Sequence, residues 1–148
     1  MIKFDEQKQL DSVAGALAIR KEIEGIAADV AGRGYKNICY LGIGGTYASA
    51  LQTQNHVQEY SGMEIIAQNA ALYNTTGNRR IGKDTVIVLS SVTGTTQEVV
   101  AAVEKAKAQG AVVIGFVDTA DTPLETGAFY NVTITDADTC LLYTSDAA

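Results

Sequence analysis

Residues 86–103, VIVLSSVTGTTQEVVAAV, admit few folds. Val86, Ile87, Val88 and Leu89 are consecutive apolar residues, mostly β-branched, as a strand buried on both faces requires. Ser90, Ser91, Val92, Thr93, Gly94, Thr95 and Thr96 then bring in hydroxyls and one glycine. Val99, Val103 and Ala106 follow at helical spacing, with Ala102 on the same face. The pattern is strand, hydroxyl-rich turn, helix. Thr95 or Thr96 is the natural N-cap, and Glu98 lies in the first turn, where the positive end of the helix dipole favours it. Such a turn presents unpaired N–H groups and hydroxyls to one point, and it binds anions, phosphate above all, without lysine or arginine. At one loop alone, an ordinary capped turn with spare hydroxyls is an equal alternative. A second loop of the same kind shifts the weight.

That second loop follows a strand at residues 38–41. Gly42, Ile43, Gly44, Gly45 and Thr46 lead into a helix from about Thr46 to Tyr60, whose buried face would carry Tyr47, Ala50, Leu51 and Val57. Ahead of it, residues 5–33 read as helix on the stripe Leu10, Val13, Leu17, Ile23, Ala27 and Val30, with Gly15 or Gly25 as a break and Gly32 and Gly34 as the stop. A second strand covers residues 64–67, and residues 74–83 read as a loop. After the helix closed by Gly110 come a strand at 111–117 and a turn at 118–123. Asp121 or Thr122 caps a short helix with Pro123 at its first position, and a fifth strand spans 129–134.

Strands alternating with helices predict an α/β fold, a three-layer αβα sandwich around a five-stranded parallel sheet of order 2-1-3-4-5. In that order the first and third strands are neighbours, so both polar turns open into one crevice. The chain divides into an N-terminal helical segment (1–35), a binding domain (36–135) and an irregular tail (136–148). The tail carries no helical period long enough to cover the sheet, and a truncated gene fragment and an ordinary frayed end both remain open.

At 148 residues, 47% of them apolar, the chain is long enough for one domain with its own core. The net charge of −6 disfavours nucleic acid and anionic membrane as partners, so an anionic ligand must be held by local dipoles and hydroxyls. No apolar run approaches a membrane span, and the charged start MIKFDEQKQ lacks the apolar core of a secretory signal. Cys39 and Cys140 form no zinc or disulfide framework, which points to a reducing, cytoplasmic setting. No metal or cofactor is expected.

Competing motifs fall away on particular residues. A dinucleotide fingerprint would need a small residue where Tyr47 stands, and a carboxylate where the second strand ends in Gln68 and Asn69. A Walker loop would need a lysine after the glycines. A nucleophile elbow at Ser91 would need glycines at Leu89 and Thr93. His56, the only histidine, falls opposite Tyr47 on its helix, away from the apolar face. Glu98 could act as a base, though its place in the cap region already explains it. Arg79 and Arg80 read as a solvated loop pair or as reaching a ligand in a partner. Cys39 lies inside a buried strand and is inert.

With both loops in view, the chain resembles the sugar isomerase (SIS) domain family, over about residues 20–135. That family has a small-residue turn, commonly Cys-Gly-Thr/Ser-Ser, after its first strand, and Ile43-Gly44-Gly45-Thr46 stands there with Gly45 lacking the hydroxyl. After its third strand the family shows Ser-x-Ser-Gly-x-Thr-x-Glu/Asp. Here Ser91 to Glu98 read SVTGTTQE, with Thr93 for the second serine and Val92 where a glutamine is common. The segment from Asp121 to Leu124 also resembles the one after the family's fourth strand.

The resemblance implies a flavodoxin-like SIS fold in which Gly44, Gly45, Thr46, Ser91, Thr93, Gly94, Thr95 and Thr96 hold the phosphate of a hexose or fructosamine 6-phosphate. It likens the chain to the first SIS half of glucosamine-6-phosphate synthase or fructosamine-6-phosphate deglycase. In those tandem enzymes the catalytic glutamate, histidine and lysine lie mostly in the second half, so no catalytic residue is assigned here. The expected partners are a sugar phosphate and either a second SIS domain or a second copy in a homodimer. A non-catalytic sugar-phosphate sensor is the alternative, and a single-domain isomerase sharing residues between subunits is a third reading.

Overall fold

A computed structural model describes residues 6–127 and 130–133. In chain order it contains α1 (Glu6–Ala18), α2 (Arg20–Arg33), β1 (Asn37–Gly42), α3 (Gly45–Tyr60), β2 (Ile65–Asn69), α4 (Ala70–Thr76), β3 (Thr85–Ser91), α5 (Gln97–Ala108), β4 (Val112–Val117), α6 (Pro123–Gly127) and β5 (Tyr130–Thr133). The strands form one sheet of order β2-β1-β3-β4-β5, and every neighbouring pair is parallel. This is the expected topology. The run of apolar residues at 86–89 supplies the central strand, with ladders on both edges and side chains committed to both faces.

The larger core lies on one face. Cys39, Leu41, Ile87, Leu89 and Val113 meet Val99, Ala102, Val103 and Ala106 of α5, Tyr73 of α4 and Leu124 of α6. The opposite face carries Ile38, Val86, Val88, Ile114 and Phe116 against Ile26 and Val30 of α2. From β1 the chain crosses to β2 through α3, and from β3 it crosses the other way to β4 through α5. Right-handed crossovers therefore set α3 and α5 on opposite faces.

Several local expectations are corrected. The N-terminal helix breaks at Ile19, not at Gly15 or Gly25, which sit within α1 and α2. A glycine costs a helix only about 1 kcal/mol, too little to end it. Of the apolar stripe, only Val30 is buried, while Leu10, Val13 and Leu17 are exposed. Gly34 does end α2, at φ +76°. Residues 70–76, partly assigned to a loop, form α4, capped by Asn69 Oδ1 accepting from Leu72 N–H at 3.1 Å. β2 accordingly runs to Asn69 and includes Gln68. On α3, Ala50 is buried and Tyr47 and Val57 half-buried, but Leu51 is exposed. The fifth strand is described over 130–133, and the tail at 136–148 lies outside the described residues.

Among the described residues no helix is long and apolar enough to cross a membrane, and no cluster of metal-binding side chains occurs. Cys39 is fully buried, and burial pushes its thiol from 9.0 up to about 12 against a smaller opposing effect of Arg80. Burial raises Tyr40 and Tyr73 in the same direction. In this range the unfolded chain releases its protons first, so these groups contribute fully below pH 9.0 and their contribution fades as pH climbs toward about 12. The urea midpoint is therefore expected to fall across that window. Cys39 should react with iodoacetamide at pH 8 only once the chain is unfolded, and ready labelling of the folded chain at Cys39, told apart from Cys140 by peptide mapping, would contradict its burial.

Candidate functional site

β1 and β3 pair with Leu41 opposite Leu89, and the chain leaves their C-terminal ends in opposite directions. This is the topological switch point of the sheet, where α/β proteins open a crevice. Parallel strands lie about 4.8 Å apart, so the turns after Gly42 and Ser91 begin side by side.

In the first turn Gly44 is the N-cap of α3, at φ +58°. The Thr46 hydroxyl accepts from Ile43 N–H at 3.1 Å and donates to Ile43 C=O at 3.0 Å. Its single proton closes the turn in this structure. The groups left open are main-chain. The first helical bond of α3 runs from Ala48 N–H to Gly44 C=O, so the N–H groups of Gly45, Thr46 and Tyr47 precede any helical acceptor.

The second turn is more open. Ser91 Oγ accepts from Gly94 N–H at 3.1 Å, which leaves its own proton free. Thr93 and Thr95 are exposed, and Thr93 Oγ1 makes only a long 3.5 Å contact with Thr95 N–H. Thr96, not Thr95, is the N-cap. Its carbonyl accepts from Val99 and Val100, both at 3.0 Å, and its side chain makes no cap bond. The Thr96 hydroxyl and the N–H groups of Gln97 and Glu98 thus stand at the open positive end of a 12-residue helix. The site offers two helix N-termini and the hydroxyls of Ser91, Thr93 and Thr96. Each hydrogen bond to an ionised group contributes about 1.5–3 kcal/mol, and several such bonds can hold a dianion.

Of the remaining candidates, His56 and Arg80 lie away from the crevice, and Glu98 lies in the first turn of α5. His56 is exposed, packed beside Tyr60 with ring centroids 5.0 Å apart. Eleven residues along α3 place it about 16 Å from that helix's N-terminus. Glu98 is exposed, and its carbonyl accepts from Asn74 Nδ2 at 2.9 Å. Arg80 pairs with Glu64 at 3.1 Å, and its carbonyl accepts from Asn37 Nδ2 at 3.1 Å, at the end of β1 away from the crevice. Sequence reasoning placed the turn between β4 and α6 but missed that it touches the second polar turn at several points. Its only signal was the segment from Asp121 to Leu124.

The family model for the SIS domain matches residues 33–144. Among curated proteins none matches the sequence. A candidate phosphosugar isomerase from Clostridium difficile superposes with a TM-score of 0.75 at 16% identity, covering 94% of this chain and 41% of its own. The tagatose-6-phosphate ketose/aldose isomerase of Escherichia coli gives 0.73 at 13% identity, covering 95% and 44%. The Vibrio vulnificus NanR protein, solved with ManNAc-6P, gives 0.65 at 16% identity, covering 95% and 59%. The chain thus spans less than two thirds of each of these proteins, and the likeness to them is one of fold.

Proposed function

The chain belongs to the SIS-domain family, and from that membership we propose that it binds a phosphorylated sugar of the hexose or fructosamine 6-phosphate class between the β1–α3 and β3–α5 turns. The observation that carries the reading is the pair of open helix N-termini at adjacent strand ends. With a net charge of −6, the chain has no general attraction for an anion, so such local donors are what a phosphate would use. Gly44, Gly45 and Thr46 contribute main-chain N–H groups. Ser91, Thr93 and Thr96 contribute hydroxyls, and Gly94 and Thr95 complete the second turn. Residues 36–135 are the binding unit in this reading, working in the cytoplasm as the first SIS half of an isomerase or deglycase. A second SIS domain or a second copy of the chain supplies the acid and base that move a proton alpha to the carbonyl.

A second reading, binding without turnover, is favoured by the likeness to NanR, which was solved with ManNAc-6P. Turnover of fructose 6-phosphate or fructosamine 6-phosphate by the purified chain would decide for the enzyme. Binding alone would decide for the module or half-enzyme.

The binding reading is tested by thermal shift, comparing fructose 6-phosphate and glucosamine 6-phosphate with the unphosphorylated sugars. A ligand at 100 times its dissociation constant adds about 2.7 kcal/mol of stability. Ser91→Ala combined with Thr93→Ala is expected to abolish the phosphate-dependent shift while the unliganded chain stays folded. A double variant that responds as the parent does would remove the turn from the site.

A further inference from the structure

Resting on the reading of the β3–α5 turn as the anion-binding element, we propose that Thr119 and Thr122 of the β4–α6 loop are positioning residues that aim this turn's main-chain N–H groups at the ligand. Three carbonyls of the turn are held from the β4 side. Ser91 C=O accepts from Asp118 N–H at 3.3 Å, and Gly94 C=O accepts from Leu124 N–H at 3.1 Å. Val92 C=O accepts twice, from Thr119 N–H at 3.2 Å and from Thr119 Oγ1 at 2.9 Å.

A trans peptide directs its C=O and its N–H to opposite sides, and no peptide here is cis. The N–H groups that share peptide planes with the Ser91 and Val92 carbonyls are those of Val92 and Thr93. Fixing the carbonyls toward β4 therefore turns these two N–H groups toward β1, the strand on the other side of β3. β1 has already ended at Gly42, and the first turn begins there. Neither N–H has an acceptor among the described residues. The lacing thus points two free donors across the crevice at the N-terminus of α3.

Thr122 supports Thr119 from beneath. It is buried, and its hydroxyl donates to Thr119 C=O at 3.1 Å, fixing the residue whose own hydroxyl holds Val92. Gly94 lies directly against Thr122, since a Cβ at Gly94 would sit 2.0 Å from Thr122 Oγ1. Of these contacts, the Thr119 hydroxyl is the one that a substitution at an exposed position can remove without disturbing the core.

The test compares Thr119→Val, Thr119→Ser and the parent chain, each ¹⁵N-labelled and titrated with inorganic phosphate and with fructose 6-phosphate. Loss of one hydrogen bond predicts that Thr119→Val weakens both probes roughly three- to tenfold. It should also shrink the ligand-induced movement of the Val92 and Thr93 amide signals, and Thr119→Ser should restore both. A merely structural hydroxyl would lower the melting temperature without this coupled change in two amides. The inference is overturned if Thr119→Val binds and shifts as the parent does, or if Thr119→Ser is impaired as much as Thr119→Val. Either of those results leaves the sugar-phosphate reading standing. A parent chain that binds neither of these probes nor glucosamine 6-phosphate or fructosamine 6-phosphate removes both.

Discussion

Gly94→Ala is expected to destabilise the chain by about 2–5 kcal/mol, combining roughly 1–2 for a left-handed backbone with 1–3 for overpacking. For a chain of this size that is a fall in melting temperature of roughly 5–20 °C. Gly94 sits at φ +63° and is buried. An added Cβ would meet Thr122 Oγ1 at 2.0 Å and Thr122 Cβ at 2.6 Å. Relief would require the β4–α6 loop to move away, breaking the bond from Leu124 N–H to Gly94 C=O at 3.1 Å. Gly34 provides the control, because it has a comparable φ of +76° with nothing within 4 Å of the added carbon. Gly34→Ala carries the backbone strain alone, about 1–3 kcal/mol for its conformation at ψ 146°. Thermal melts of the two variants therefore separate strain from crowding. If Gly94→Ala costs no more than Gly34→Ala, the close approach to Thr122 is not what demands glycine. In the sugar-phosphate reading, Gly94→Ala also loses the ligand-dependent shift, because the N–H groups of its turn are re-aimed.

How far the sequence reaches is set by the range of each interaction. The runs at 38–41, 86–89 and 111–117 are legible as strands because burial on both faces demands continuous apolar residues. The crevice is legible because two polar turns follow strands that a right-handed parallel topology makes neighbours. α4 was not legible, since its seven residues, AALYNTT, are too few to display a helical period, and Asn69 reads as well for a strand end as for a cap. The fate of the Thr46 hydroxyl was not legible either. A sequence shows that a donor exists, but not that Ile43 C=O, three residues back, already takes its proton. Least legible was the hold of Thr119 on Val92, a contact across 27 residues that no local pattern encodes. Gly42, read as the first residue of a loose turn, is the last residue of β1 and is buried.

Propensity and geometry make opposite predictions for Gly42→Val, and their magnitudes decide between them. Valine is favoured over glycine within a strand, on a scale that spans about 1 kcal/mol. Against this, a Cβ at residue 42 would lie 2.7 Å from Thr46 Oγ1, 2.8 Å from Thr46 C and 2.8 Å from Tyr47 N. Two of those three atoms are main chain in the first turn of α3, so no rotamer change can clear them. The expected cost is about 3 kcal/mol, at the upper end for an overpacked core, and it outweighs the strand preference. The strain should act where α3 presents its unpaired N–H groups, so the response to fructose 6-phosphate should weaken along with the fold. Adding Thr46→Ala tests the cause when the double variant is measured against Thr46→Ala alone, which loses the two bonds to Ile43, since the change deletes the hydroxyl contact and leaves the two main-chain ones. Stability should then be recovered only in part. Full recovery in Gly42→Val/Thr46→Ala would mean that the side chain alone set the close approach, and that α3 has room to sit back from the sheet.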